Sequence, residues 1–415
     1  MARHLPTRKR YTTRQTQRDL EELGQEFEFF DPRKPLRHSD QIEHDRRVRL
    51  MTDDWLTQLQ GQALRVAPHL GPRGMNQFVS YQNAVFQALM HVPIFLQWIS
   101  GHLTTPDCTR MRYCLKCLMK LFIQGYWGAT PLHIPISGSS QVLFNIQLAA
   151  WDTNLFFAYN QEDPIEFYRW IVGEMDDAEN DRWHEDWESL FTMIYQAYET
   201  CQTCKNDARV RPVLQPQMML EIPIQNPSTR TIREAIFRIF ARDPVNSPCG
   251  SAQCRNQDRN KLRRLETKAA PRALIIKLKI YDNDEQKIVD NNGNLLQGPK
   301  VDERLDLTQY QAFDSVSLRY TLSSVISHNG PNIAIGQDVV SIRSHRGCTD
   351  RYWNIENTSR VVINRREFLS NPQNQPLRVN RYQVYILTYI RDEKIQDIEN
   401  IERSRELRNL ETTFV

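Results

Sequence analysis

The sequence lacks any long apolar run, since none of its 415 residues fall in a stretch approaching 18 uninterrupted apolar residues. A helix that spans a membrane needs about that length. It also lacks a positively charged start followed by an apolar core, so no secretory signal peptide is predicted. Excess charge of one sign is nearly absent as well, because the formal net charge is only +3. Nucleic-acid binding by the chain as a whole is therefore not expected. We expect an intracellular protein, cytoplasmic and/or nuclear, without membrane contact.

Acidic side chains are missing from the first 18 residues, which contain six basic ones: Arg3, Arg8, Lys9, Arg10, Arg14 and Arg18. Such a run occurs in nuclear-import or nucleic-acid-binding tails, but it is more often a solvated disordered tail, which is the interpretation we favour. We interpret residues 1–65 as a charged, partly disordered N-terminal extension. Residues 393–415 are interpreted as a charged C-terminal tail.

Cysteine is also scarce, with eight in the chain. In a reducing compartment, closely spaced cysteines indicate metal ligands before they indicate disulfides. Two pairs have ligand-like spacing, Cys201-x2-Cys204 and Cys249-x4-Cys254. Two such pairs, a few tens of residues apart, suit a tetrahedral zinc site at the tip of two hairpins. The alternative is a set of free, buried thiols.

The pattern of apolar residues changes along the domain that we place at residues 66–392. Up to about residue 199 the spacing of three and four residues predicts helices, for example over 151–157 and 164–175. After Cys204 the alternation predicts strands, over 273–281, 319–327, 337–343 and 381–389. Helices followed by an antiparallel sheet predict an α+β fold.

Two motifs in this domain carry a family resemblance. Residues 80–89 read Ser-Tyr-Gln-Asn-Ala-Val-Phe-Gln-Ala-Leu, and residues 161–167 read Gln-Glu-Asp-Pro-Ile-Glu-Phe. They resemble the nucleophile helix (Cys-Tyr-Met-Asn-Ser-x-Leu-Gln-Ala-Leu) and the second signature box of the ubiquitin-specific proteases, the ubiquitin carboxyl-terminal hydrolases of peptidase family C19. The resemblance implies a papain-like fold with a helical thumb, an antiparallel-sheet palm and zinc-ribbon-like fingers at about residues 200–260.

The resemblance also implies that the catalytic positions have changed. Ser80 stands at the position of the cysteine nucleophile, and a serine hydroxyl needs a general base before it can attack. Gln337 stands at the position of the catalytic histidine, and an amide cannot take up a proton near neutral pH. Asn357, or Glu356 in a shifted register, matches the residue that orients the histidine. Met75 replaces the asparagine that supplies the oxyanion donor.

Structural roles remain open for these positions. Serine is a preferred N-cap residue, so Ser80 also fits the start of a helix. His91, His328 and His345 are the histidines that could replace the missing base, although a lone histidine is more often structural. The resemblance implies that Asp163 hydrogen-bonds the backbone of the ubiquitin tail. If the resemblance is set aside, Asp163 and its neighbours are an ordinary helix start with acidic residues in its first turn.

These departures predict a catalytically inactive relative of the deubiquitinases that acts by binding ubiquitin or a partner complex. Two alternatives stay open. One is an active or residual deubiquitinase that hydrolyses ubiquitin isopeptide bonds through Ser80, without a thiol. The other is a purely structural scaffold subunit without affinity for ubiquitin.

Overall fold

The structure is a computed structural model of the full chain. It describes residues 80–100, 114–119, 122, 146, 148–157, 160–176, 184, 187, 190–205, 207–209, 215–224, 231–241, 243–246, 248–249, 254, 260–289, 291, 293, 295–296, 299–311, 318–343, 351–356, 359–364 and 383–392. The predicted N-terminal extension and C-terminal tail lie outside the described residues.

In chain order, the helices defined within the described residues precede the strands, apart from one that lies among them. They are α1 (Ser80–Met90), α2 (Pro93–Ser100), α3 (Pro164–Glu174) and α4 (Ile232–Phe240). Every residue of α1 is buried, so this helix has no solvent-facing side. Helix α3 begins after the N-cap Asp163, whose carboxylate accepts the Ile165 N–H at 2.8 Å, with proline at the first helical position. Within the described part of the chain, each helix is too short or too polar to cross a membrane.

The strands follow in chain order and form two sheets. They are β1 (Met193–Cys201), β2 (Asp207–Arg209), β3 (Gln215–Gln217), β4 (Met219–Pro223), β5 (Asp243–Asn246), β6 (Asn260–Ala269), β7 (Ala273–Lys279), β8 (Arg304–Asp306), β9 (Arg319–Asn332), β10 (Ile335–Arg343), β11 (Arg351–Glu356), β12 (Ser359–Asn364) and β13 (Gln383–Arg391). The smaller sheet has the order β2-β1-β6-β5, with β3 on β1. The larger has the order β12-β11-β10-β9-β13-β7-β4, with β8 on β9.

The larger sheet is antiparallel apart from one pair, because β4 and β7 run parallel. The antiparallel-sheet palm expected from the sequence is present, with this one parallel pair at its edge. Parallel strands need a long crossover, and the chain between β4 and β7 supplies one that contains α4 and strands β5 and β6.

One predicted helix ends early. The periodicity predicts a helix over 151–157, but the helix ends at Asp152 and a turn follows. The Thr153 hydroxyl donates to the Ala150 carbonyl, and Asn154 adopts a left-handed φ of 58°. Short polar side chains compete with helical hydrogen bonds in this way, and asparagine tolerates the left-handed region. The other helix, 164–175, is confirmed as α3, and the four predicted strands are confirmed as β7, β9, β10 and β13.

An aromatic cluster joins α1 to α3. Phe167 is fully buried, and its ring lies 5.4–5.6 Å, between centroids, from the rings of Tyr81, Phe86, Phe156 and Trp170. The pairs with Tyr81, Phe86 and Phe156 are edge-to-face, and such pairs stabilise a core beyond the area that they bury. The cluster fixes the start of α1 against the start of α3, which positions the site described below.

We expect Phe167→Ala to lower the free energy of unfolding by about 3–5 kcal/mol, because it leaves a cavity between two buried helices. Chemical denaturation measures this change. The matched control is Phe237→Ala, since Phe237 is 57% exposed, and it should change stability by no more than about 0.5 kcal/mol. Equal effects of the two variants would contradict the proposed position of Phe167.

Candidate functional site

Ser80 lies at the first position of α1, where the helix meets β10, and is only 1% exposed. Its hydroxyl accepts the backbone N–H of Asp338 at 3.1 Å and donates to Oε1 of Gln161 at 3.2 Å. Among the described residues, neither a histidine nor a carboxylate is hydrogen-bonded to this hydroxyl. The serine is thus held by a backbone amide and by a side-chain amide, neither of which is a base.

A chain of buried polar groups continues from Gln161. Its Nε2 donates to Oδ2 of Asp338 at 2.6 Å, and Oδ1 of Asp338 lies 3.0 Å from Nδ1 of His328. The other ring nitrogen, Nε2, lies 3.1 Å from the Asn332 carbonyl oxygen. Both ring nitrogens thus face acceptors. The side chains of His328 and Asp338 are at most 1% exposed.

The register of β9 and β10 decides which residue faces Ser80. Asp338 pairs with His328 and Gln337 pairs with Asn329, after a register shift between Ile335 and Gln337. Adjacent side chains of a strand point to opposite faces. Because the Asp338 side chain points toward Gln161 and His328, Gln337 points to the other face. The equivalence of Gln337 to a catalytic histidine remains a prediction from sequence.

Two glycines allow the β9–β10 hairpin to lie on the His328 ring. A Cβ at Gly330 would clash with the Ile335 carbonyl oxygen, and one at Gly336 would clash with the Asn329 carbonyl oxygen. Either Cβ would also lie too close to Nε2 of His328. Glycine within a strand often marks such a close approach or a register irregularity. The hairpin is therefore packed directly against the buried ring.

Lys287 joins the segment after β7 to this network. Its ammonium group donates to the His328 carbonyl oxygen at 2.9 Å, and the residue is 6% exposed. Burial lowers the pKa of Lys287 to about 8, against the opposing effect of the Asp338 carboxylate. The contact fixes the chain between β7 and β8 to the end of β9.

A second hydrogen-bonded group lies beside the first. The Tyr385 hydroxyl donates to the Asp163 carboxylate, with 3.0 Å to each oxygen. The Tyr281 ring stacks edge-on against Tyr385 at 5.3 Å and against His328 at 5.9 Å. Burial raises the pKa of Asp163 to about 6, although the Ile165 N–H, Lys277 and Tyr385 all act to lower it. The predicted tail-binding carboxylate is thus already bonded within the chain.

The other predicted catalytic positions are not part of the polar chain that the described residues form. Asn357, Met75 and His345 lie outside the described residues. His91 follows α1, and its carbonyl oxygen accepts the Ser323 hydroxyl at 3.0 Å. Of the three alternative histidines, only His328 is seen in the polar chain that leads to Ser80.

Sequence reasoning missed Asp338, the residue that contacts Ser80, Gln161 and His328. The position of Asp338 beside Ser80 depends on the register shift between β9 and β10, and residue types alone do not determine that shift. Gly336, two residues earlier, is the signal that could have suggested an irregular register.

The four predicted metal ligands come together in the smaller sheet. Cys201 ends β1 and Cys204 follows in the next turn, while Cys249 and Cys254 lie between β5 and β6. All four sulfur atoms lie within 4.8 Å of one another, with Sγ–Sγ distances of 3.6 Å for Cys201–Cys254 and 3.7 Å for Cys204–Cys249. A tetrahedral ion with bonds of about 2.3 Å to sulfur separates its ligands by about 3.8 Å. The cluster could therefore hold a metal ion.

Comparison with protein families gives one match over most of the chain. The sequence model of the ubiquitin carboxyl-terminal hydrolase family matches residues 75–389. No curated protein sequence matches the chain.

Several solved structures share the fold. The SAGA DUB module of Ubp8, Sgf11, Sus1 and Sgf73 bound to monoubiquitin matches with TM-score 0.61 and 17% identity, over 79% of this chain and 69% of that chain. The same module bound to ubiquitin aldehyde matches with TM-score 0.61 and 15% identity, over 80% of this chain and 71% of that chain. A yeast SAGA DUB module with an Sgf73 variant matches with TM-score 0.58 and 16% identity, over 80% of this chain and 70% of that chain. At these identities the likeness concerns the fold alone, and it confirms the predicted α+β fold.

The raised pKa of Asp163 predicts a pH dependence of stability. The folded state keeps this proton up to about pH 6, whereas an ordinary aspartate releases it near 3.8, so stability should fall as pH rises through this window. Asp163→Asn keeps the N-cap and the Tyr385 bond but cannot ionise, and should raise stability at pH 7 by about 1–2 kcal/mol.

Urea unfolding of both proteins at pH 4, 5, 6 and 7 tests this prediction. Asp152→Asn, at an exposed position, is the control and should leave the pH profile unchanged. A profile of Asp163→Asn that parallels the unaltered protein would show that Asp163 titrates normally.

Proposed function

Since the chain belongs to the ubiquitin carboxyl-terminal hydrolase family, we propose that it is a catalytically inactive member that acts by binding ubiquitin or a partner complex. The observation that carries this proposal is the pair of amide partners of the Ser80 hydroxyl. A serine nucleophile must give its proton to a base as it attacks. The Ser80 proton instead points to an amide oxygen of Gln161, which is a very weak base.

The rest of the polar chain supports the same proposal. His328 is the described histidine nearest to this site along the hydrogen bonds, but the Asp338 carboxylate and the Gln161 amide stand between its ring and Ser80. Both nitrogens of that ring already face other acceptors, the Asp338 carboxylate and the Asn332 carbonyl oxygen. Loss of a complete catalytic triad costs on the order of 10⁶ in turnover. We therefore expect no measurable hydrolysis.

Ubiquitin is the proposed partner on the basis of fold. Two of the solved structures that share it are DUB modules bound to monoubiquitin or ubiquitin aldehyde. Those modules contain several subunits, so a partner complex is the second proposed interaction. Binding without hydrolysis needs only the surface of the fold and not its nucleophile.

We further propose that the four-cysteine cluster holds structural zinc. Tetrathiolate coordination in tetrahedral geometry is typical of closed zinc sites, which contribute to folding and leave no open position for chemistry. The ligands here would be Cys201, Cys204, Cys249 and Cys254. The bound metal would connect the end of β1 to the β5–β6 hairpin. The metal would stabilise the smaller sheet and take no part at Ser80.

Purified protein should contain about one zinc ion per chain, measured by inductively coupled plasma mass spectrometry, and should lose stability when a strong chelator removes it. Cys204→Ser should lower the zinc content sharply. Cys114→Ser, which alters a half-buried cysteine on the helical side, is the control and should retain the metal. A metal-free preparation of unchanged stability would refute the zinc site.

A single titration tests the main proposal. The full chain is added to ubiquitin that carries a fluorophore as a C-terminal amide, and anisotropy and released fluorescence are followed together. We expect a saturable rise in anisotropy without release. Ser80→Ala, with its thermal midpoint checked, is the control for any slow release.

Each other outcome decides against the proposal in a different way. Release that Ser80→Ala abolishes would establish a residual deubiquitinase. An absence of both signals at high protein concentration would favour a scaffold subunit without affinity for ubiquitin, and co-purification of a partner would be examined next.

A further inference from the structure

The four clustered cysteines lie on two tips that leave the smaller sheet at the same edge. Strands β1 and β5 both pair antiparallel with β6, and both pairs end where β6 begins. Cys201 and Cys204 lie at the first tip, between β1 and β2, and Cys249 and Cys254 lie at the second, between β5 and β6. The sulfur atoms therefore meet between two tips whose strands are separated by β6.

Each tip presents one buried and one half-buried sulfur. Cys201 and Cys249 are 1% exposed, whereas Cys204 and Cys254 are half-buried. The Sγ–Sγ contact of 3.6 Å joins Cys201 to Cys254, and that of 3.7 Å joins Cys204 to Cys249. Both contacts run from one tip to the other, and each combines a half-buried sulfur with a buried one.

This combination suits reversible oxidation of thiols. Peroxide converts a solvent-accessible thiolate to a sulfenic acid, and a neighbouring thiol then converts the sulfenic acid to a disulfide. A disulfide has its sulfur atoms about 2.05 Å apart, so each pair must close by about 1.6 Å from its present separation. The buried member of each pair is shielded from peroxide and remains available for the second step.

We propose that the cluster is a site of reversible oxidation by hydrogen peroxide, at which Cys204 and Cys254 react first and their partners complete two disulfides. The Cys204 thiolate attacks one peroxide oxygen, the O–O bond breaks, and hydroxide leaves as the sulfur becomes a sulfenic acid. The Cys249 thiolate attacks that sulfur, the S–S bond forms, and a second hydroxide leaves. Cys254 and Cys201 react in the same way, so two peroxide molecules and four protons give two disulfides and four water molecules.

The inference builds on the proposed zinc site, because metal binding keeps all four sulfurs as thiolates. A disulfide sulfur is no longer a thiolate ligand, so oxidation releases the zinc. The choice of partners, by contrast, depends only on the positions of the sulfur atoms.

Disulfides between the tips take over the structural role of the metal. Pairing within a tip, Cys201 with Cys204 or Cys249 with Cys254, closes only a short loop and leaves the tips unconnected. Pairing across the tips keeps the end of β1 joined to the connection between β5 and β6. Reduction by a thiol through disulfide exchange then restores the metal ligands.

Graded addition of hydrogen peroxide to the full chain as purified tests the inference. Zinc release is followed with a colorimetric chelator, and disulfides are mapped by mass spectrometry of tryptic peptides after free thiols have been alkylated. We expect about two equivalents of peroxide to release about one zinc ion per chain. The mapped disulfides should be Cys201–Cys254 and Cys204–Cys249, and dithiothreitol with added zinc should reverse both changes.

Two variants locate the reaction. Cys254→Ser removes one half-buried thiol of the cluster and should reduce the yield from two disulfides to one, Cys204–Cys249. Cys114→Ser removes a half-buried thiol on the helical side. It is the matched control and should form both disulfides at the unaltered rate.

The outcomes separate this inference from the zinc proposal. Disulfides within each tip, or sulfinic acid at Cys204 and Cys254 without disulfides, would overturn the inference, and zinc in the same preparation would leave the zinc proposal intact. A preparation without zinc that forms both disulfides across the tips would refute the zinc proposal and support the pairing.

Thermal unfolding tests the structural consequence. The oxidised, zinc-free protein should unfold within about 5 °C of the zinc-bound protein, because its tips remain linked. The reduced protein treated with a strong chelator should unfold at a clearly lower temperature. Equal midpoints of the oxidised and the chelated forms would show that the disulfides do not replace the metal, and would overturn that part of the inference.

Discussion

A helix that is buried on every side cannot leave its polar N-terminus to water, and this constraint on α1 determines much of the arrangement around it. An unpaired polar group in the interior costs about 1–3 kcal/mol. Ser80 meets its requirement with Gln161, 81 residues away, and with the Asp338 amide, 258 residues away. The start of α1, the approach to α3 and strand β10 must therefore be placed together, and the aromatic cluster around Phe167 packs in the position that this junction allows.

The same contacts support the proposal that this member of a hydrolase family does not hydrolyse. A catalytic site and a structural junction both need buried polar groups in fixed positions, and they differ in whether one group can accept a proton and release it. In the network around Ser80 the lone pairs and protons are already matched: the hydroxyl to amides, and the Asp338 carboxylate to Gln161 and His328. A fully satisfied network of this kind makes the interior rigid and specifies one arrangement.

Much of the fold could be predicted from sequence, because α3 and the main strands have clear periodicity and the four cysteines have recognisable spacing. The contacts within the site were harder to predict from sequence. The role of Asp338 depends on a one-residue shift between β9 and β10, and a shift of that size exchanges the faces of a strand. The early end of the helix at Asp152 depends on local hydrogen bonds of Thr153 that a hydrophobic pattern does not record. The positions of helices and strands along the chain were predictable, whereas the face of a strand on which a given side chain lies was not.

The separation between Ser80 and Asp338 also has a consequence for the chain during its synthesis. At about 5–20 residues per second, the ribosome needs roughly 13–50 s to add the residues between them. Throughout that interval α1 exists without the strand that covers its start, and its apolar side chains have no native sheet to pack against. Long-range contacts of this kind form slowly and leave a nascent chain prone to aggregation. The junction that makes the finished domain rigid thus leaves α1 without its native partners until β10 has been translated.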